Sequence, residues 1–163
     1  MGGSRAELRI LPLRSSVAFP SIVMPLAVGI PRSVRLVDDA AADDSVIGLV
    51  ASRDPSIEEP TPEQVHGVGT LARIMRVSRG DDGTLQVMVQ CLERIRVVRW
   101  PTTDPYLRAR VERSPERHGT DVETEALVAT VRDAAREVIE LSPTIPDEAA
   151  AFLATIRDPL HLV

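Results

Sequence analysis

The chain has 163 residues, of which 44% are hydrophobic, 26% charged and only 2% aromatic, and its 19 basic and 24 acidic residues leave a net charge of −5. A chain this long buries about 68–70% of its unfolded surface, so its core needs no disulfide or metal, and the acidic balance argues against the net basic face that nucleic acid or anionic membrane demands. All 19 cations are arginine. Without lysine the chain cannot house a P-loop, a protein kinase's strand lysine, a Ser-Lys dyad or a Schiff-base centre.

Cys91 is the single cysteine, so no internal disulfide can form. No leader-like apolar core opens the chain and no run approaches the ~18 apolar residues of a membrane span. A cytoplasmic protein is expected.

Residues 8–14 are predicted as a first strand. Pro20 and Pro25 bracket a short apolar loop, Ser21-Ile22-Val23-Met24, ahead of Leu26-Ala27-Val28. Pro31 suits the first turn of a short amphipathic helix with Val34, Val37 and Ala41 on its apolar face. The uninterrupted run Val46-Ile47-Gly48-Leu49-Val50-Ala51 predicts a strand covered on both faces. Residues 55–64, with three prolines and three glutamates, predict a surface loop.

Residues 70–79 and 84–99 predict two strands joined at Gly80-Asp81-Asp82-Gly83, which has hairpin-turn chemistry. A four-residue loop sets Arg79 against Thr84, Met75 against Met88 and Ala72 against Cys91. Leu85, Val87, Val89 and Cys91 then point inward, and Gln86, Met88 and Gln90 outward. Residues 106–113 alternate again, with Leu107, Ala109 and Val111 facing in. Beyond His118, Thr120-x-x-Glu123 resembles a capping box opening a helix with the stripe Leu127, Val131, Ala134, Val138 and Leu141. A second helix over 146–156 follows. Asp158-Pro159 has the form of another helix start with only four residues behind it. The chain is therefore expected to be a fragment whose helical tail belongs partly to a missing region; a native terminus at Val163 is the other reading.

The order of segments resembles the amino-terminal domain of Lon ATP-dependent proteases, the LON substrate-binding domain. Leu11-Pro12-Leu13-Arg14, Phe19-Pro20 and Met24-Pro25-Leu26 with Val28-Gly29 match its opening signature. The match continues through Leu49-Val50-Ala51, Asp54-Pro55, Val68-Gly69-Thr70, Asp82-Gly83-Thr84, Leu92-Glu93-Arg94 and Tyr106-Leu107-x-Ala109. It covers about residues 8–113, and Ile30-Pro31 departs from the family by lacking the basic residue that often follows the glycine.

The resemblance implies an α+β fold: a small, mostly antiparallel β-sheet or pseudo-barrel domain over 1–117 with one packed helix. A helical segment over 118–163 would follow, leading in such proteases to the ATPase module. It implies a substrate-recognition role, holding unfolded or damaged proteins, alongside the rest of the Lon chain and neighbouring subunits of a homohexamer. No nucleic acid or membrane partner is expected. ATP and Mg belong to the ATPase module of the full-length parent, and no cofactor, metal or catalytic centre is expected in this chain. A stand-alone LON-domain binding protein without protease activity is the alternative, and a β-barrel-like enzyme a third.

Methionine is flexible and polarisable and accommodates varied apolar partners, so an outward Met75 and Met88 suit recognition of diverse sequences. With Pro20, Ile22, Met24 and Pro25 they form the candidate substrate-binding residues; the plainer reading packs them beneath the helical tail. Cys91 reads as a buried structural thiol. His66, His118 and His161 lack metal-ligand spacing, and Glu58, Glu59, Glu63, Asp81 and Asp82 sit in turn-rich segments as solvated carboxylates.

Overall fold

Period-2 alternation and short apolar runs give six strands, and 3.6-residue periodicity three α-helices, in the computed structural model, which describes residues 6–115, 117, 119, 121–146 and 148–159. The elements are β1 (Ala6–Leu13), β2 (Val23–Val28), α1 (Pro31–Ala42), β3 (Val46–Ser52), β4 (Val65–Arg79), β5 (Leu85–Thr102), β6 (Arg108–Arg113), α2 (Val122–Leu141) and α3 (Glu148–Thr155). The chain divides into two compact units, Met1–Pro115 and Glu116–Val163.

The strands form one sheet in the order β2-β5-β4-β3-β1-β6, with an additional β5–β6 ladder. Only β1 and β3 are parallel; every other ladder is antiparallel. The expected α+β, mostly antiparallel architecture is present. The sheet curls back on itself through β5–β6 but does not make a plainly closed barrel.

Curling divides the core into two clusters, and β3 serves both. Ile47 and Leu49 face the cluster that also holds Leu36, Val37 and Ala40 of α1. Val50 faces a second one with Leu8, Ile10, Ile95 and Leu107, and Gly48 leaves the space that Ile10 and Ile95 fill. Both faces of β3 are thus covered, as its unbroken apolar run predicts. Each such fully buried aliphatic side chain contributes about 1.5–3 kcal/mol.

The face of α1 differs by a residue from the sequence reading: Leu36, Val37 and Ala40 are buried, whereas Ala41 is exposed. Asp43 and Asp44, just past its end, hold Arg9 at 2.7 and 3.5 Å, and the Tyr106 hydroxyl donates to Asp39 at 2.9 Å. These bonds tie the helix to the sheet and to the segment entering β6.

In the second unit, α2 is capped by Asp121, whose carboxylate accepts from the Thr124 amide. Thr120 lies outside the described residues, and the anticipated capping box gives way to this single-residue cap. The expected stripe is not the packed one: Leu127, Val131, Val138 and Leu141 are exposed, while Val128, Arg132, Ala135 and Ile139 are half-buried. Arg132 donates to the Leu153 and Ile156 carbonyls, holding α3 to α2.

Candidate functional site: an outward apolar sheet face

The site is built on three adjacent strands, β2, β5 and β4. In the register of β2 with β5, Val23 opposes Gln90, Pro25 opposes Met88 and Ala27 opposes Gln86. These pairs share the outward face, since their neighbours Leu26, Val28, Leu85, Val87 and Val89 are buried. Pro25 fits here because β2 is an edge strand, where a residue without an N–H costs no ladder bond on its free side.

Met75 and Met88 reach this surface by a different geometry from the one expected. The hairpin loop has five residues rather than four, so Arg79 pairs with Leu85 and Arg76, not Met75, with Met88. Met75 is the extra residue of a bulge between Ile74 and Arg76. The bulge removes the one-residue offset, so Ala72 still pairs with Cys91. Both methionines are exposed, Met75 by 58% and Met88 by 38%.

Among the other expected residues, Ile22 is exposed and its carbonyl accepts the Cys91 amide at 2.8 Å. Pro20 is half-buried in the preceding turn. Met24 does not belong to the face: it opposes Val89 and packs against the α1-side core. The strand alternation that turns Pro25 outward necessarily turns Met24 inward.

On β2 and the loop before it, three exposed apolar residues escaped the sequence reading. Val23 is 55% exposed on the face itself, and Val17 and Phe19 are exposed on the loop before it. Reading 23–28 as an alternating strand would have found Val23, but nothing in the sequence distinguishes Val17 and Phe19 from core residues. Their loop is pinned by buried Thr70, whose hydroxyl donates to the Ala18 carbonyl at 2.7 Å.

A groove of about 760 Å³ runs between residues 11–16, residues 25–31 and the 55–59 loop, with Arg14, Glu58 and Glu59 as its charged lining. Arg14 is committed to the Pro55 carbonyl at 2.8 Å. The lining holds neither histidine nor cysteine. Cys91 is buried on the α1 side, and burial pushes its thiol up, away from thiolate chemistry. No cluster of potential metal ligands occurs among the described residues.

The first unit is thus a curled mixed sheet that turns Pro25, Met75 and Met88 to solvent. The chain belongs to the family of the ATP-dependent protease La (LON) substrate-binding domain, whose model matches residues 7–163. It is 44% identical over 151 residues to Lon protease 2 of Sorangium cellulosum, covering 92% of this chain and 19% of that protein. It is 41% identical to the Lon protease of Anaeromyxobacter dehalogenans, covering 96% and 19% respectively. The chain thus spans about a fifth of the length of these relatives. Its fold resembles the N-terminal domain of Mycobacterium avium complex Lon protease, with a TM-score of 0.75 at 21% identity over 96% of this chain and 79% of that one. A Lon N-terminal domain protein from Xanthomonas campestris aligns with a TM-score of 0.60 at 24% identity over 96% and 94%.

Proposed function

We propose that this chain is the substrate-recognition and holding region of an ATP-dependent Lon protease, and that it binds unfolded or damaged proteins through its outward apolar face. The observation that carries the reading is Pro25 directly opposite Met88 on an exposed face, with Met75 lifted beside them by a bulge. Apolar side chains held on a rigid sheet bind extended apolar segments without first ordering themselves, and the methionine side chains adapt to different sequences.

In this reading residues 1–117 are the recognition domain, and 118–163 begin a helical region leading to the ATPase module, where ATP and Mg act. The parent works as a cytoplasmic homohexamer. A single face binds weakly, and six copies around one substrate raise the effective concentration of the next contact.

The test is a pair of nuclear magnetic resonance spectra of the labelled chain, with and without a chemically unfolded test protein. Shifts at the Met75 and Met88 methyls and along Ile22, Val23 and Pro25, with the core methyls unchanged, are expected. Absence of shifts at this face, with shifts elsewhere or none, overturns the reading.

A further inference from the structure

We propose that this face selects extended segments in which apolar residues are flanked by acidic ones, and discriminates against basic flanks; the proposal rests on the binding role assigned to the face above. The argument is one of charge complementarity. Arg76 stands directly opposite Met88, and Arg73 directly opposite Gln90, so both arginines share the outward face with the methionine. Both are exposed, and neither forms an ion pair among the described residues.

The remaining outward positions of β2 and β5 here, Val23, Pro25, Ala27, Gln86, Met88 and Gln90, are all uncharged. Carboxylates on adjoining segments are engaged elsewhere or lie at the hairpin tip. Asp44, beside the Ser45 carbonyl that accepts the Ile74 amide, holds Arg9 and the Val46 amide. Glu93 pairs with Arg113 at 3.0 Å. Asp81 and Asp82 sit at the hairpin tip, where Asp82 accepts from the Thr84 amide and hydroxyl. A chain of net charge −5 therefore presents two unneutralised guanidinium groups around its apolar face. Guanidinium forks pair bidentately with carboxylates and would lie against like charge if the bound segment were basic.

The test measures binding of two labelled peptides by fluorescence anisotropy, identical in their apolar core and flanked on both sides by aspartate in one and by lysine in the other. A labelled unfolded protein serves as the control for the face itself. The aspartate-flanked peptide should bind about 3–10-fold more tightly at about 50 mM salt, as two exposed pairs allow, and the difference should shrink toward nothing near 1 M salt. The double variant Arg73→Glu, Arg76→Glu should reverse the order, and Arg73→Gln, Arg76→Gln should abolish it, each with an unchanged melting temperature. If the control binds while the peptides do so equally, or while the preference survives both variants, the charge assignment is overturned and the binding role stands. If neither control nor peptides bind, the binding role itself falls.

Discussion

Met88 and Cys91 lie three residues apart on one strand and face opposite ways, and their substitutions should behave accordingly. Met88 projects outward between Pro25 and Arg76, so Met88→Glu should weaken binding to an unfolded protein while moving the melting temperature by no more than about 1–2 °C, the range of an exposed substitution. A larger drop in a thermal melt would mean that the side chain is core. Cys91 is 1% exposed, with its thiol pushed up by burial. A thiol reagent should leave it unmodified in native buffer and label it completely in denaturant, read by mass spectrometry. Facing directions such as these were legible in the sequence because alternation along residues 85–91 is uninterrupted. Cys91 keeps its expected partner Ala72, but the partner of Met88 was not legible, because the five-residue turn shifts the register and the bulge at Met75 that restores it contains no glycine or other residue that announces it.

At the scale of elements, close approach and capping set the sensitive positions. A Cβ on Gly69 would stand 2.3 Å from the Leu49 carbonyl oxygen and 2.7 Å from Val50 Cγ1, whereas one on Gly67 meets nothing within 4 Å. Gly69→Ala should cost about 1–3 kcal/mol in urea unfolding, and Gly67→Ala should stay within about 0.5 kcal/mol. For α2, hydrogen bonds from the backbone amide and side chain of Thr124 lower the carboxyl pKa of Asp121 below its ordinary 3.8. A lowered folded-state value means the cap's contribution is complete above the ordinary carboxylate range and is lost as pH falls through the lowered one. The helical circular dichroism of Asp121→Ala should therefore fall short of the parent at neutral pH, and the two should converge in acid below pH 3.8. Continuous apolar runs made β3 easy to read. By contrast, β2 was partly hidden because Pro25 signals a loop unless the strand is known to be an edge. On α2 two adjacent apolar stripes compete, and the periodicity cannot say which one α3 covers.

Over the whole molecule, composition and segment order carried the family assignment, since the spacing of common residues survives where single motifs are weak. The curl of the sheet was less legible: it depends on β5 continuing past its partnership with β2 to reach β6, which no local pattern encodes. That curl joins the two ends of the β-unit, with Ala6 against Val111 and Leu8 against Ala109. During synthesis residues 6–9 must therefore wait for β6, whereas residues 10–13 have β3 to pair with. A nascent chain that has not yet emerged through residue 113 has an unpaired β1 edge and an unfinished second cluster, the condition in which strand edges pair with the wrong neighbour. The domain that we infer holds unfolded proteins is thus itself obliged to pass through an unfinished, chaperone-susceptible interval, ended only when β6 closes against β1.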